Sequence, residues 1–140
     1  MSCRYAVLED GRWVLERWSG DVDAEEIVAH EESQVADARI APGAVGLADL
    51  RHARFPGEGP YDLEGLALAH ERSGGAPRFS RFALVAEAPE VFLKSRSLEL
   101  AMERVGIRVV VFTSLRTACD WLGVDAARVT TELAALSRTG

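Results

Sequence analysis

The chain has 140 residues, is 48% hydrophobic and carries a formal net charge of −6. That length suits one ordinary domain, which can bury a core without disulfides or a structural metal. The negative charge argues against a nucleic-acid-binding protein, because such proteins neutralise phosphates with many cations. No apolar run approaches the about 18 residues of a membrane span.

The cysteines and the N-terminal segment favour a cytoplasmic protein. Cys3 lies at the start of the chain, which we expect to be flexible, and Cys119 lies on an apolar helix face. Neither has a neighbour at metal or redox spacing, so both are predicted to be free thiols in a reducing compartment. The segment Met1–Glu16 lacks the basic-then-apolar order of a secretory signal.

The chain is predicted to begin with a β-hairpin. Tyr5–Glu9 and Arg12–Trp18 flank Asp10-Gly11, a pair that readily adopts the positive φ angles of a tight turn. Periodicity and the positions of Gly, Pro and Asp predict the next elements in chain order. A helix from Asp21 or Asp23 to about Ala38 is followed by a strand at Val45–Leu50 and a helix at Tyr61–Arg72 that stops at Gly74-Gly75. A strand at Arg81–Ala86 and a helix at Pro89–Val105 come next.

The segment from 108 to 123 has the clearest local pattern. Arg108–Phe112 is an apolar, β-branched run, typical of a buried strand covered by helices on both sides. Ser114 can cap the helix that follows, and Gly123 can end it in the left-handed conformation.

These elements, in the order ββαβαβα with an extra C-terminal helix, predict an α/β fold. Strands joined by single helices are parallel, with right-handed crossovers. We therefore expect a single mixed sheet, covered by helices, in which three parallel strands carry an N-terminal antiparallel hairpin. Residues 1–123 form the domain. Residues 124–140 form an amphipathic helix, packed on the domain or on a second copy, with Ala126, Val129, Leu133 and Leu136 on its apolar side.

The order of elements and several short sequence motifs resemble those of one family of small bacterial domains. The motifs are Ser19-Gly20 before an acidic helix, Leu47-Ala48-Asp49-Leu50-Arg51, Arg81-Phe82-Ala83-Leu84-Val85-Ala86, Arg96, and Val111-Phe112 followed by Ala118 and Trp121-Leu122-Gly123. Together they resemble the SpoIIAA-like branch of the STAS/CRAL-TRIO-like superfamily. The resemblance implies a mixed sheet with helices, no cofactor, and a role in protein interaction or in binding a small apolar ligand.

The resemblance also suggests a place to look for a phosphorylation switch. In the anti-sigma-factor antagonists of the superfamily, a serine near the start of the helix after the third strand is phosphorylated. The equivalent stretch, Asp49–Asp62, contains no serine or threonine. We therefore predict no phosphorylation site.

Two ionisable residues occupy apolar helix faces. Glu31 lies in the middle of the apolar side of the first helix, and His70 shares a face with Leu63 and Leu66 on the second. Buried ionisable groups are costly unless paired, and they cluster at functional sites. One hypothesis is that Glu31 and His70 line a polar spot in an apolar cavity; the alternative is that each reaches solvent or a backbone carbonyl at the edge of its stripe.

A ligand pocket is predicted between the sheet and the second and third helices. It would use apolar side chains such as Leu66, Phe92 and Leu98, with His70 or Arg96 as polar anchors. A separate anion site could form at Arg51 and Arg54, which follow the carboxyl end of a strand. The alternative there is that both arginines are solvated or paired with Asp49 and Glu58.

No catalytic or metal motif emerges from spacing. His30-Glu31-Glu32 would need a second histidine at Gln34 to form a metalloprotease helix, and three scattered histidines make no metal site by spacing. We therefore predict no catalytic residue, metal or cofactor. The sequence favours a non-catalytic regulatory or interaction domain that acts through protein contacts. It is also compatible with a homodimer. The alternatives are binding of a small apolar or lipid-like ligand and, third, an enzyme of undefined reaction.

Overall fold

The chain begins with the predicted β-hairpin in a computed structural model that describes residues 2–72 and 78–138. β1 (Cys3–Leu8) and β2 (Trp13–Asp21) pair antiparallel. Glu9, Asp10 and Gly11 all have positive φ in the turn between them. A Cβ at Gly11 would lie 2.2 Å from the carbonyl oxygen of Arg39, so only glycine fits the tip of the hairpin.

The three other strands extend the hairpin into a single sheet. They are β3 (Ala44–Arg54), β4 (Phe79–Val85) and β5 (Arg108–Phe112), and the spatial order is β1-β2-β3-β4-β5. All neighbours from β2 to β5 are parallel, which confirms the predicted mixed sheet. The predicted elements match the observed order, which is ββαβαβαβα followed by a further helix; the string ββαβαβα left out one strand–helix unit.

Five helices connect and follow the strands, and their bounds differ from the sequence prediction most at the end of α1 and the start of α2. They are α1 (Ala24–Val35), α2 (Glu64–Arg72), α3 (Pro89–Glu103), α4 (Leu115–Leu122) and α5 (Ala126–Arg138). α1 ends before Ala38, where Arg78 binds the carbonyls at the end of the helix. α2 begins three residues after Tyr61, since the Asp62 carboxylate accepts from the Glu64 N–H. The predicted stop at Gly74-Gly75 lies outside the described residues.

The caps at α1 and α4 follow the sequence signals. The Asp23 side chain accepts from the Glu26 N–H, and Ser114 accepts from the Thr117 N–H. Gly123 has a φ of 74° and ends α4 in the left-handed conformation.

The sheet separates two apolar clusters. α1, α2 and α3 cover one face, where Leu66, Phe82 and Met102 belong to the larger cluster. α4 and α5 cover the other face, where Val129 and Leu133 of α5 are buried together with residues of the sheet and α4. The C-terminal helix therefore packs on its own sheet. None of the described helices is both long and apolar enough to cross a membrane.

β5 differs from its prediction as a buried strand. It forms one edge of the sheet, and only Val109 of the five residues is buried. α3 and α4 still contact it, so Val110, Val111 and Phe112 are half-buried. An apolar run thus marks a strand covered on both faces, while its position in the sheet decides how deeply it is buried.

Candidate functional site

A cavity of about 40 Å³ lies between the sheet and the helices α1 and α3. By the same measure one water needs about 10–15 Å³, so the space holds about three. The walls are mostly apolar. They are formed by Ala48, Leu50, Phe82 and Val109 of the sheet, Ile27 of α1, Leu98 and Met102 of α3, and Phe55, Tyr61 and Leu63 between β3 and α2.

Glu16 forms a polar end of this cavity. This residue of β2 is 4% exposed, and its carboxylate accepts hydrogen bonds from Trp18 Nε1 at 2.8 Å and Gln34 Nε2 at 2.7 Å. His30 Nε2 of α1 lies 3.0 Å from the same carboxylate oxygen that Gln34 binds. Three groups therefore hold the carboxylate in one orientation.

Glu16 and His30 each favour the charged form of the other. Burial by itself raises the pKa of Glu16, but the charge of His30 and the hydrogen bonds from His30, Trp18 and Gln34 outweigh it and lower the pKa below its ordinary value. Burial by itself lowers the pKa of His30, and the Glu16 carboxylate outweighs that effect and raises it. Both directions favour an ion pair.

Cys3 completes a cluster with Glu16 and His30. Its Sγ lies 3.9 Å from His30 Nε2, and the ligand atoms of the three residues all lie within 4.8 Å of one another. Burial, and then the neighbouring charge of Glu16, raises the pKa of the Cys3 thiol far above its ordinary value. The expectation of a flexible start is wrong for Cys3, because it is paired with Trp18 in the sheet and is 9% exposed.

Glu31 and His70 form a second buried pair. Glu31 Oε1 lies 2.5 Å from His70 Nε2, and the two side chains are 9% and 3% exposed. Gly65 explains how α1 and α2 come close enough, since a Cβ there would lie 2.8 Å from the Val28 side chain. The structure brings together the two residues that the helix faces singled out, with Glu31 on the cavity wall and His70 behind it.

Lys94 places a cation at the cavity. It is the sole lysine of the sequence and is half-buried on α3. Its Nζ lies 4.3 Å from the centroid of the Tyr61 ring and donates to the carbonyl of Gly59. The cation is therefore held between α3 and the segment that precedes α2.

The predicted pocket lay too close to α2, so several of its residues are elsewhere. Leu98 lines the cavity, but Leu66 is fully buried in the core and Phe92 does not reach the cavity wall. Arg96 was wrong as a polar anchor, because its exposed side chain pairs with Glu99 at 3.1 Å. The cavity lies under α1 and α3, and none of the residues described for α2 lines it.

The predicted anion contacts are occupied by carboxylates. Arg51 binds Asp49, with Nε 2.8 Å from Oδ1, and lies 3.9 Å from Glu87. Arg54 lies 2.7 Å from Asp21. The pairing of Arg51 with Asp49 was the stated alternative; Arg54 binds Asp21 of the neighbouring strand instead of Glu58.

Comparisons with known proteins report on the fold. No protein-family model matches the chain, and no curated protein matches it. A solved structure of an uncharacterized protein of the DUF3478 family from Shewanella loihica PV-4, described as having a SpoIIAA-like fold, is similar over 86% of this chain and 93% of that chain, with 19% identity and a TM-score of 0.50.

The chain has a SpoIIAA-like fold. This confirms the fold that the sequence motifs predicted, and at that identity the likeness concerns the fold alone. Within the SpoIIAA-like fold of this chain, the cavity and the cluster of Cys3, Glu16 and His30 lie on the sheet face that α1, α2 and α3 cover.

Proposed function

We propose that this domain binds a small, mainly apolar molecule that carries an anionic group, and that it does not catalyse a reaction on it. The observation that carries the proposal is the apolar cavity between the sheet, α1 and α3. Protein interiors leave few voids larger than a water molecule. Filling an apolar void with a small apolar group is favourable, because dispersion contacts replace empty space.

The size of the cavity limits what enters it. A volume of about 40 Å³ suits an alkyl group of a few carbons. Phe55 and Tyr61 line the cavity, pack edge to face with their ring centroids 6.1 Å apart, and are half-buried. A longer molecule would leave the cavity past these two rings.

Lys94 supports an anionic end on the ligand. Its ammonium group lies beside Tyr61, and an ammonium has three N–H donors, of which the Gly59 carbonyl takes one. On the α1 side of the cavity, His30 and His70 already pair with the carboxyl groups of Glu16 and Glu31, so among the described residues that side offers no unpaired cation to an anion. The anionic end should therefore lie at Lys94 and the apolar end inside.

Octanoate, a short aliphatic carboxylate, tests the proposal by calorimetric titration. We expect saturable binding of one molecule per chain, and about tenfold weaker binding, which corresponds to about 1.4 kcal/mol, when Leu98→Phe fills the cavity. Leu93→Phe is the matched control, because Leu93 lies on the same helix and is 72% exposed. Absence of saturable binding, or equal binding by Leu98→Phe, would refute the proposal.

A second candidate function is protein interaction through α2 and α3. Leu93 and Leu100 of α3 lie seven residues apart, on one side of the helix, and are 72% and 55% exposed; Leu68 of α2 is 43% exposed. Exposed apolar side chains on one side of a helix favour contact with another protein. Sedimentation of the wild type and of Leu93→Ser with Leu100→Ser would reveal self-association that depends on them; identical monomers would count against a homodimer through this face.

A further inference from the structure

We propose that Cys3, Glu16 and His30 form a binding site for one divalent transition-metal ion, and that Zn²⁺ suits it best. The three residues come from β1, β2 and α1, and their sulfur, oxygen and nitrogen ligand atoms converge within 4.8 Å. Thiolate, imidazole and carboxylate are the three protein ligands that zinc uses. The site is separate from the proposed role of the apolar cavity, although Glu16 and His30 also border that cavity.

The distances are close to those that a tetrahedral ion requires. With ordinary Zn–N, Zn–O and Zn–S bond lengths, neighbouring ligand atoms lie about 3.3 Å apart for nitrogen and oxygen and about 3.6 Å apart for sulfur and nitrogen. The observed separations are 3.0 Å between His30 Nε2 and Glu16 Oε2 and 3.9 Å between His30 Nε2 and Cys3 Sγ. These two separations therefore need shifts of only a few tenths of an ångström, and the Cys3 sulfur lies within 4.8 Å of the Glu16 carboxylate.

The surroundings hold the ligands in place. Trp18 and Gln34 donate to the Glu16 carboxylate, as outer-shell partners of metal-binding carboxylates do. The rings of Tyr5 and Trp18 pack edge-on against His30, with centroid distances of 5.4 and 4.9 Å. Little side-chain entropy remains to be lost when an ion binds.

The ligand set selects the kind of ion. A thiolate and an imidazole favour zinc and similar transition metals, whereas Mg²⁺ and Ca²⁺ prefer sites built only from oxygen. Binding would replace the thiol proton of Cys3 by a bond from sulfur to the ion, and would release that proton to solvent. His30 would bind through Nε2 in its neutral form, so it too would release a proton if it were charged beforehand.

An open groove gives the ion a route. Cys3 and His30 line a groove of about 830 Å³ that runs between the edge strand β1 and α1 and is also bordered by Tyr5, Glu26 and Ser33. Three protein ligands leave a fourth position for water or another small ligand. That arrangement is typical of zinc sites with an exchangeable position, and differs from closed structural sites with four protein ligands.

Cobalt titration of the untagged, chelator-treated full chain tests the site. Co²⁺ reports a sulfur ligand through a thiolate-to-metal charge-transfer band, and Zn²⁺ should then displace it. We expect one Co²⁺ per chain with that band in the wild type and in Cys119→Ser, whose altered cysteine is buried on α4, away from the cluster. Cys3→Ser should lose the band and weaken binding beyond the about 10- to 100-fold that outer-shell changes cause.

Two outcomes would overturn the proposal. If the wild type binds no Co²⁺ or Zn²⁺, or binds without the charge-transfer band, Cys3 is not a ligand and the cluster is an ion pair beside a buried thiol. If Cys3→Ser binds as tightly as the wild type, the same conclusion holds. Circular dichroism checks that each variant is folded. If Cys3→Ser does not fold, His30→Gln, which removes the nitrogen ligand, is titrated instead, and binding as tight as that of the wild type would overturn the proposal.

Discussion

Glu16 and His30 make the stability of the fold depend on pH. The folded-state pKa of Glu16 is lowered from an ordinary 4.5. Its contribution to the free energy of unfolding is therefore present above that value and is lost as pH falls through the lowered pKa. The folded-state pKa of His30 is raised from 6.5, so its contribution is fully present below that value and is lost as pH rises through the raised pKa. The pair should stabilise most between pH 4.5 and 6.5.

His30→Gln tests this pH dependence. Removing one partner of a buried ion pair costs about 3–5 kcal/mol, so the free energy of unfolding should fall most between pH 4.5 and 6.5 and less on either side. Urea denaturation with a chelator present, at a series of pH values, measures the difference from the wild type. His52→Gln is the control, because His52 is exposed at the end of β3. A loss that does not vary with pH would mean that His30 acts only by packing.

Residue-level signals in the sequence found part of the site. The helix faces singled out Glu31 and His70, which the structure pairs. Glu16 was missed, although alternation along β2 places it on the same face as Val14 and Trp18, two buried apolar residues. The approach of Cys3 to His30 had no local signal, because it depends on how α1 lies across the hairpin.

Arginines at the ends of two helices connect distant elements. Arg78 Nη2 donates to the Val35 carbonyl at 2.5 Å, and Nη1 donates to those of Asp37 and Ile40 at 3.1 and 2.9 Å. These carbonyls lie at and just after the C-terminus of α1, where intrahelical partners are missing. Arg81 does the same for Trp121 and Leu122 at the end of α4.

Arg78→Met should therefore destabilise the fold. It keeps most of the apolar stem and removes the donors, and leaving partly buried carbonyls without partners costs about 1–3 kcal/mol. The free energy of unfolding from urea denaturation is the measurement. Arg104→Met, at an exposed arginine after α3, should change it by less than about 0.5 kcal/mol. An equal effect of the two substitutions would show that the Arg78 hydrogen bonds add nothing to stability.

Elements were predictable where their ends carry local signals. Asp23, Ser114 and Gly123 are caps in the sequence and in the structure, since capping depends on residues within one turn. The start of α2 was missed although it has a local signal in Asp62, whose carboxylate accepts from the Glu64 N–H. The end of α1 was missed because Arg78 acts across a long sequence separation. The edge position of β5 likewise depends on strand order, which no property of its own five residues indicates.

At the scale of the whole molecule, α5 closes the second face of the sheet. Val129 and Leu133 are buried with Leu15 and Leu47 of the sheet. Outside this cluster, Arg128 binds Glu9 and lies over the Trp13 ring, with its guanidinium carbon 5.3 Å from the centroid. The sequence left open whether this helix packs on its own domain or on a second copy. In the described structure its apolar side is already used within the chain.

Leu133→Ala distinguishes these two roles of α5. Because Leu133 is 3% exposed, its truncation in a monomer should cost about 2–5 kcal/mol at any protein concentration. Leu93→Ala, at a leucine 72% exposed, should cost much less. Urea denaturation at two protein concentrations, together with sedimentation, separates the possibilities. If α5 were held by a second copy, the unfolding midpoint of the wild type would rise with concentration, because dimers dissociate on dilution. Leu133→Ala would then remove that dependence and yield monomers, which would contradict packing of α5 on its own sheet.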